Sequence, residues 1–370
     1  MKFSRIIANS GEWLSGDGPN RQIVVSSRVR LARNIRNKPF PGWAKKAERL
    51  EVMGLVKTAV EALPEMEESY SEPLESLSPL EKQVLVERHL ISREHAAKAV
   101  GSAVVTNARQ SLSVMINEED HLRMQAICCG LQLGNVFDMI NRVDSELESS
   151  LDFAFDSHLG YLTACPSNVG TGMRASAMLH LPALVMSDQI NKIINSVNKI
   201  GLAVRGLHGE GTEAMGNLFQ VSNQTTLGET EEDIIGRLNR VIEQIIEHEQ
   251  NARALLSQRK PVTLHDQIGR AYGILCHAFS MSSKEALNLL SVIKLGIDLD
   301  VFPEAHRFPV DELFIETQPA HLQKGAQVQK MSSEERDTLR ATIIRAKLNQ
   351  MPGPDMSRLK ISVPTATSKQ

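Results

Sequence analysis

The sequence is organised around residues 165–176, which read CPSNVGTGMRAS. This run holds a cysteine, a proline, two glycines and an arginine in a polar, turn-like segment, and an apolar run from Met178 to Met186 follows it. Glycine lets the backbone approach a ligand closely, and an arginine can hold a phosphate with a fork of donors. A cysteine near an arginine also has surroundings that favour the thiolate. The two glycines alone are a weak signal, so the meaning of this run depends on what the rest of the chain supplies.

Length and composition bound the class of protein. The 370 residues leave room for one large domain and a smaller one, and 42% hydrophobic with 23% charged residues is typical of a globular protein. The net charge of −3 argues against a protein that coats nucleic acid. Four cysteines without a CxxC pair predict neither a zinc site nor a disulfide framework, and they favour a reduced, cytoplasmic setting. Neither a signal peptide nor a membrane-spanning segment is predicted, because no apolar run is long enough.

A strand with a basic edge is predicted near the start of the chain. Residues before Gln22 predict a short irregular arm, and Ile23 begins a strand that runs toward Arg28, Arg30 and Arg33. On a strand, Arg28 and Arg30 point to the same face, where a bound anion would relieve their mutual repulsion. A solvated basic edge strand is an equally weighted alternative for this segment taken alone.

A dense polar cluster is predicted at residues 117–123, which read NEEDHLR. It follows predicted strands at 102–106 and 112–116, and sites are commonly built on the loops beyond strand ends. A charged turn is the plain alternative. A capping box at 78–81 predicts a helix that runs toward His89, and a lone histidine of this kind is more often structural than functional.

Downstream of the central run, the sequence predicts a mobile acidic loop and then helices. Helical spacing is predicted over 128–151 and 179–198, with a break at Pro182 as an alternative for the second helix, and a strand is predicted at 202–204. Glycines and acids over 205–216 predict a loop that closes over a substrate as a lid, with a plain flexible hairpin as the alternative. From Glu231 onward the apolar spacing is helical.

The chain lacks the signatures of several common enzyme classes. No P-loop, no HRD and DFG pair, no GxSxG elbow and no HExxH motif occurs. Phosphoryl transfer needs in-line positioning of the reacting groups and positive charge on the phosphoryl oxygens, part of which Mg²⁺ normally supplies. Five arginines near predicted strand ends suit a triphosphate-binding site. These are Arg28, Arg30, Arg123, Arg174 and Arg205. A carboxylate at Glu119 or Glu210 would hold a guanidinium and accept its proton, and a thiolate at Cys165 would add negative charge nearby.

Four motifs resemble those of the phosphagen (ATP:guanido) kinases. They are SRVR at 27–30, NEEDHLR at 117–123, CPSNVGTGMRAS at 165–176 and the loop from Arg205 to Glu210, and they recur in order between about Ile23 and Asn251. The resemblance implies an α+β fold, glutamine-synthetase-like, in which helices flank an antiparallel sheet and a smaller all-helical domain follows. It also implies ATP and Mg²⁺ as cofactors, with the metal carried by ATP rather than by a protein site.

The same resemblance implies roles for individual residues. Glu119 and Glu210 would hold the guanidinium, with Glu119 the stronger candidate for the base, and Cys165 would lie on the substrate side. The nucleotide would contact His89 and several strand segments. The implied nucleotide-binding residues are Ser26, Ser27, Arg28, Val29, Arg30, His89, Arg123, Arg174, Ala175, Ser176, Ala177, Met178, Arg205, Gly206, Leu207, His208 and Gly209.

Departures from the family pattern indicate the acceptor. The motifs begin almost at the N-terminus, so the helical N-terminal domain that helps small-molecule phosphagen kinases cover their substrate is not predicted. Met178 stands where those enzymes often have histidine, and a helical extension follows the kinase motifs. This layout is similar to that of the bacterial protein-arginine kinases and implies transfer of the ATP γ-phosphoryl group to arginine side chains of proteins. A small-molecule guanidino kinase and a non-catalytic phosphoarginine-binding adaptor are the alternatives.

The helical extension carries a second motif, RDTLRA at 336–341. Arg336 and Arg340 lie one turn apart at a predicted helix start, where a bound phosphate would relieve their repulsion and Asp337 could pair with a guanidinium. The motif resembles the family's allosteric phosphoarginine pocket, which implies the set Arg336, Asp337, Arg340 and Ala341. An ordinary surface helix is the alternative.

The predicted domains are an arm at 1–21, a catalytic domain at 22–254, a helical domain at 255–350 for dimerisation and phosphoarginine binding, and a disordered tail at 351–370. By resemblance, the partners are protein substrates with exposed arginine, a zinc-binding activator protein, and a Clp-type chaperone–protease that receives the marked proteins. A stress-gene repressor is a further implied partner, in keeping with a role in stress response and protein quality control. A cytoplasmic homodimer is implied, without direct nucleic-acid or membrane binding.

Overall fold

An antiparallel sheet organises the first two-thirds of the chain. The computed structural model describes residues 1–206, 214–328, 330–355 and 357. The strands in these residues are β1 (Val24–Arg33), β2 (Tyr70–Pro73), β3 (Ala103–Thr106), β4 (Leu112–Ile116), β5 (Leu122–Cys129), β6 (Phe155–Asp156), β7 (Gly160–Tyr161), β8 (Met173–His180), β9 (Leu202–Gly206) and β10 (Leu218–Asn223). Eight of these described strands form one sheet in the order β2-β3-β4-β5-β1-β8-β10-β9, and all neighbours are antiparallel. Strands β6 and β7 form a separate hairpin.

Helices pack on the apolar face of the sheet and build the C-terminal region. They are α1 (Phe3–Ala8), α2 (Glu12–Ser15), α3 (Lys46–Glu61), α4 (Pro79–Glu87), α5 (Arg93–Ala96), α6 (Leu133–Ser150), α7 (Pro182–Met186), α8 (Ile190–Lys199), α9 (Glu231–Arg259), α10 (Pro261–His277), α11 (Ser283–Asp298), α12 (Arg307–Glu316), α13 (Pro319–Gly325) and α14 (Ser333–Leu348). Val52 and Val56 of α3 and Val136 and Ile140 of α6 join the main core with residues of α8 and α9. Within the described part of the chain, none of the helices has the length and apolarity that a bilayer crossing needs.

Side-chain alternation along β1 separates the core from a polar face. Val29 and Leu31 belong to the main core, whereas Arg28 and Arg30 point to the opposite face. Arg33 lies on the core side, although it is close to these arginines in sequence. Its guanidinium pairs with Asp144 of α6, with 2.6 Å between Nη2 and Oδ2. The prediction that Arg28 and Arg30 share a face is therefore confirmed, and Arg33 has a separate, structural position.

A second core joins the C-terminal helices to the polar side of the sheet. Met178 of β8 and Leu218 of β10 belong to this core, which is formed mainly by α10, α11, α12 and α14. A buried ion pair crosses the junction, because Arg253 of α9, which also pairs with Glu249 of its own helix, pairs with Asp298 of α11, each at 2.8 Å. The helical region therefore packs directly against the sheet.

The end of α4 is tied to the same helical region. The Glu87 carboxylate accepts hydrogen bonds from the backbone N–H groups of Ala320 and His321, at 2.9 and 3.1 Å, in the first turn of α13. A carboxylate is favourable at a helix start because the N–H groups there carry no intrahelical partner. The neighbouring Arg88 donates from Nε to Nε2 of His321 at 3.1 Å. Residues at the end of α4, including His89, are thus positioned by α13.

The structure confirms the predicted fold class, an antiparallel sheet flanked by helices and followed by a helical region, but local predictions differ. Residues 1–21 contain α1 and α2 and are not irregular. The helix predicted over 128–151 begins only at Leu133, because the preceding residues finish β5. The helix predicted over 179–198 is also wrong at its start, since β8 continues to His180. Both strands are almost wholly buried, so their apolar residues occur on both faces and obscure the period of two.

Gly172 adopts a backbone conformation that favours glycine. Its φ is +64°, and a Cβ there would lie 2.6 Å from Nη1 of Arg33 and 2.7 Å from the carbonyl oxygen of Ala32. We expect Gly172→Ala to lower the free energy of unfolding by roughly 2 kcal/mol or more, because the left-handed strain and the crowding of Arg33 add together. Gly236→Ala in α9 is the matched control, since nothing lies within 4 Å of the added Cβ. This control should stay neutral or gain up to about 1 kcal/mol. Denaturant unfolding measures both variants, and equal effects would contradict the prediction.

Candidate active site

Five arginines lie on one face of the sheet. In antiparallel pairs, residues directly opposite each other present their side chains on the same face. The opposed pairs that define this face are Arg28–Ser176, Arg30–Arg174, Ala32–Arg123, Gln220–Met178 and Gln220–Arg205. The arginines, which we call the arginine face, are Arg28, Arg30, Arg123, Arg174 and Arg205. Four separate strands, β1, β5, β8 and β9, therefore bring together all five arginines selected from the sequence.

The arginine face carries unsatisfied positive charge. The buried Nε atoms of Arg30 and Arg174 have no hydrogen-bond partner among the described residues. Burial, followed by the charges of Arg28, Arg123 and Arg174, lowers the pKa of Arg30 well below its ordinary value. Burial and the charge of Arg123 likewise lower the pKa of Arg28 to about 10. Because clustered and partly buried cations are unfavourable without counter-charge, this face is suited to a ligand with several negative charges.

Arg123 is held in place by a buried carboxylate. Its Nη1 lies 2.7 Å from each oxygen of Glu118, whose side chain is only 2% exposed. Ser92 donates a further hydrogen bond to Glu118 at 2.5 Å. Although burial opposes ionisation, Arg123 and these hydrogen bonds hold the pKa of Glu118 below its usual range. Glu118 thus remains ionised and orients Arg123.

Arg123 lies between two clefts. The first, here called the arginine cleft, has a volume of about 630 Å³ and is also lined by Arg28, Arg30, His89 and Gln318. His89 has a φ of +60°, and its ring packs edge-on against Trp13 with 5.4 Å between centroids. The second, here called the acidic cleft, has a volume of about 550 Å³ and is lined by Phe40, Gly42, Trp43, Glu94, Lys98, Glu118, Glu119, Arg123 and Ala164. A group passed from one cleft to the other would travel past the Arg123 guanidinium.

Glu119 is the exposed carboxylate of the run 117–123, and it lines the acidic cleft. Partial burial, together with the neighbouring charges of Asp120 and Glu118, raises its pKa above the ordinary value. A carboxylate with a raised pKa is a better proton acceptor when ionised, so Glu119 has the properties of a general base.

Asp120 connects the Glu119 loop to the segment that carries Cys165. One oxygen of Asp120 accepts hydrogen bonds from Nδ2 of Asn34 and from the backbone N–H of Ala164, both at 2.6 Å. Ala164 immediately precedes Cys165, whose sulfur lies 3.0 Å from Oγ of Ser167. The carboxylate candidate and the cysteine are therefore linked through a single buried aspartate.

His121 fixes the other side of the same loop. Its Nδ1 accepts a hydrogen bond from the backbone N–H of Ile35 at 3.0 Å, so the ring donates from Nε2 to the carbonyl oxygen of Pro39 at 3.0 Å. Burial lowers the pKa of His121, which suits this neutral form. The imidazole therefore acts as a structural bridge between the end of β1, residues 39–44 and the Glu119 loop.

The residues predicted to bind nucleotide divide between the two faces of the sheet. Ser26, Ser176 and Met178 share the arginine face by register. Ser27, Val29, Ala175 and Ala177 alternate onto the opposite face, where Ser27 donates to the carbonyl oxygen of Gly130 at 2.8 Å. Their side chains therefore cannot reach the arginine cleft, because β1 and β8 are central strands with both edges paired. Gly206 ends β9, whereas the predicted site residues Leu207, His208, Gly209 and Glu210 lie outside the described residues.

The C-terminal motif lies at the start of α14 but is arranged differently from the sequence prediction. Arg340 is almost completely buried, and its guanidinium donates to the carbonyl oxygens of Thr317 and Met281 at 2.9 and 2.8 Å and to Asp337 at 2.5 Å. An anion is therefore not needed to neutralise Arg340, which corrects the predicted repulsion. Arg336 donates to the carbonyl oxygen of Met331 at 3.0 Å and is partly exposed. Ala341, the last residue of the motif, is fully buried in the second core.

Sequence reasoning selected Glu119 from the NEEDHLR run but missed the roles of its neighbours. Glu118 orients Arg123, Asp120 binds the Cys165 segment, and His121 binds residues 39–44. The spacing of the run contains no signal that distinguishes the exposed carboxylate from the buried ones. Within the described residues, no group of three or more His, Cys, Asp or Glu side chains is placed to hold a metal ion.

Two family models match the chain in succession. Residues 51–252 match the ATP:guanido phosphotransferase C-terminal catalytic domain, and residues 261–359 match the protein-arginine kinase McsB C-terminal domain. The chain is 46% identical over 341 residues to the protein-arginine kinase of Halothermothrix orenii, covering 92% of this chain and 97% of that protein. It is also 46% identical over 338 residues to the protein-arginine kinase of Brevibacillus brevis, covering 91% and 94%. A crystal structure of lombricine kinase is similar with a TM-score of 0.57 and 27% identity, covering 65% of this chain and 70% of that one.

Proposed function

This chain belongs to the ATP:guanido phosphotransferase family as a protein-arginine kinase, and we propose that the arginine face and the acidic cleft are its two substrate sites. The observation that carries this proposal is the position of Arg123, which lines both clefts and is oriented by the buried Glu118. The arginine cleft offers unneutralised cations to the phosphates of ATP. The acidic cleft offers carboxylates to the guanidinium of an acceptor arginine.

The proposed chemistry transfers the γ-phosphoryl group of ATP to a guanidinium nitrogen. A P–N bond forms, the bond between the γ-phosphorus and its bridging oxygen breaks, and ADP leaves. Glu119 accepts the proton that the attacking nitrogen loses, and the arginine face stabilises the charge on the phosphoryl oxygens. Mg²⁺, carried by ATP, would supply further positive charge to the phosphates. The proposed phosphate ligands are Arg28, Arg30, Arg123, Arg174 and Arg205.

We propose that Cys165 lies beside the acceptor and that His89 lies on the nucleotide side. Cys165 follows Ala164, which lines the acidic cleft with Glu119. His89 lines the arginine cleft. Glu210 remains part of the proposal, as a second carboxylate that holds the guanidinium.

A protein acceptor is favoured over a small guanidine by the openness of the acidic cleft. Glu119 is exposed, and Trp43 at the rim of the cleft is 89% exposed. The similarity to protein-arginine kinases over more than 90% of the chain supports the same choice and disfavours a non-catalytic adaptor. An arginine on an unfolded segment could enter such a cleft without being enclosed.

Mass spectrometry of an unfolded, casein-like protein tests this function. After incubation with ATP and Mg²⁺ and handling without acid, we expect acid-labile phosphate on arginine side chains. A reaction without ATP is the control. Phosphate found only on hydroxyl side chains, or no transfer at all, would overturn the proposed function.

We further propose that the helical residues 255–350 provide dimerisation and a phosphoarginine-binding site, with residues 22–254 as the catalytic domain. Arg336 and Asp337 are the partly exposed members of the site. Arg340 and Ala341 are buried, and Arg340 holds Asp337 through a hydrogen bond. The proposed setting is cytoplasmic and belongs to the stress response. The proposed partners are a zinc-binding activator protein, a stress-gene repressor and a Clp-type chaperone–protease that degrades the marked proteins.

Arg336→Ala should remove activation by phosphoarginine while leaving the basal transfer rate within about twofold, because Arg336 is far in sequence from the catalytic strands and lies at the surface. The measurement is the rate of substrate phosphorylation as free phosphoarginine is added. Arg270→Ala removes another exposed arginine of the helical region, with a side chain that is 73% exposed, and should keep the activation. Equal activation curves for Arg336→Ala and the parent protein would contradict the proposed site.

A further inference from the structure

Trp43 is the most exposed large hydrophobic side chain among the described residues, with 89% of its surface accessible. Phe279 is the next, at 82%, but the guanidinium of Arg345 lies over its ring at 5.1 Å. No described cation lies over the Trp43 indole in this way. An exposed indole offers a large apolar face and a polar N–H to another molecule. Its position in the acidic cleft identifies that molecule's chemistry.

The turn that carries Trp43 is fixed to the proposed catalytic loop. The backbone N–H groups of Trp43 and Ala44 donate to the carbonyl oxygen of Phe40 at 2.9 and 3.0 Å. The Phe40 ring packs edge-on against His121 with 6.4 Å between centroids, and His121 also binds the carbonyl oxygen of Pro39. Since His121 is only two residues from Glu119, the turn that carries Trp43 and the loop that carries Glu119 are linked through His121.

The charges around Trp43 suit a cation. Five charged residues line the acidic cleft together with Trp43. Three are acidic, Glu94, Glu118 and Glu119, and two are basic, Lys98 and Arg123. Glu118 is paired with Arg123, so these two charges offset each other. Glu94 and Glu119 then outnumber Lys98. An aromatic face beside carboxylates is the environment that a guanidinium group prefers.

We propose that Trp43 is a specificity-determining contact for the acceptor, with its indole packed against the guanidinium and alkyl stem of the arginine presented by a protein segment. This inference rests on the proposed function and assigns to it a residue outside the motifs that identified the family. Glu119 would hold the guanidinium from its edge, and Trp43 would cover its face. A flat cation with an apolar stem fits this pair of contacts better than the compact, strongly hydrated ammonium of lysine does.

Steady-state kinetics on a peptide with a single arginine and no lysine test the proposal. For Trp43→Ala we expect the KM for the peptide to rise about tenfold, with kcat within about twofold and the KM for ATP unchanged, because the contact forms before transfer and persists through it. Trp43→Phe keeps an aromatic face and should recover most of the lost affinity. Phe279→Ala removes an exposed aromatic side chain elsewhere and should leave all three constants unchanged.

The outcomes separate this inference from the proposed function. If the parent protein forms phosphoarginine on the peptide and Trp43→Ala does so with the same KM, the inference is wrong and the function stands. If the parent protein phosphorylates no arginine, the function itself fails. A loss of kcat and thermal stability together in Trp43→Ala, without recovery in Trp43→Phe, would assign Trp43 a folding role and would also overturn the inference.

Discussion

Replacing Arg30 with methionine is expected to reduce phosphoryl transfer by about 10³-fold or more while making the ligand-free protein more stable. Arg30 lies directly opposite Arg174, and its buried Nε has no partner among the described residues. Burial and the neighbouring arginines lower the pKa of Arg30 in the folded state, so its positive charge costs folding free energy that methionine would recover. Methionine keeps the apolar stem, so the gain should be about 1 kcal/mol, the size of a cross-strand repulsion.

Arg33→Met is the matched control for this prediction. Arg33 lies on the same strand, but its guanidinium pairs with the buried Asp144, and its side chain is 2% exposed. Breaking this buried pair should lower the free energy of unfolding by about 3–5 kcal/mol. Thermal unfolding in a buffer without phosphate or sulfate, combined with an activity assay, measures both variants. If Arg30→Met loses stability as Arg33→Met does, Arg30 has a structural role. This result would contradict the claim that Arg30 is an unpaired cation available to a phosphate group.

Glu119→Gln is expected to lower kcat by about 10²–10⁴-fold, the contribution of a general base. Nucleotide affinity should be unchanged, since Glu119 lines the acidic cleft and does not line the arginine cleft. Stability should change by less than about 0.5 kcal/mol, because the side chain is exposed. Binding of a fluorescent ATP analogue and single-turnover transfer rates separate the two effects.

The pH profile gives this prediction a second readout. The environment raises the pKa of Glu119, so the carboxylate takes up its proton at a higher pH than an ordinary glutamate does. A base works only when deprotonated, and the parent rate should therefore fall as the pH falls through this raised pKa. Glu119→Gln should lose that acidic limb. Glu94→Gln, in the same cleft, should keep the limb and shift it to lower pH, because one nearby negative charge is removed. An unchanged limb in Glu119→Gln would assign the base to another residue.

Much of the candidate site could be predicted because its residues follow local rules. The period of two along β1 placed Arg28 and Arg30 on one face, and the capping signal at Ser78 agrees with the observed capping box. The five arginines were found because each stands at or near a strand that the sequence marks by apolar runs. These features depend on neighbours within a few residues, which a sequence displays directly.

The remaining features depend on contacts between distant residues. The opposition of Arg30 and Arg174 joins positions 144 apart in sequence, and only the strand register reveals it. The burial of Arg340 also escaped prediction, since its helical position predicts a surface residue, whereas the carbonyl oxygens of Thr317 and Met281 receive its N–H groups. The exposed position of Trp43 was not predicted, because the spacing of residues does not show whether a single aromatic side chain is exposed.

A competition between two acceptors tests the central claim most directly. The enzyme receives ATP, Mg²⁺, an unfolded casein-like protein and free arginine in one reaction, and both products are measured by mass spectrometry. We predict phosphoarginine on the protein, its loss with Glu119→Gln, and little phosphorylation of the free amino acid. Accumulation of free phosphoarginine while the arginines of the protein remain unmodified would contradict a protein-arginine kinase with an open acceptor cleft.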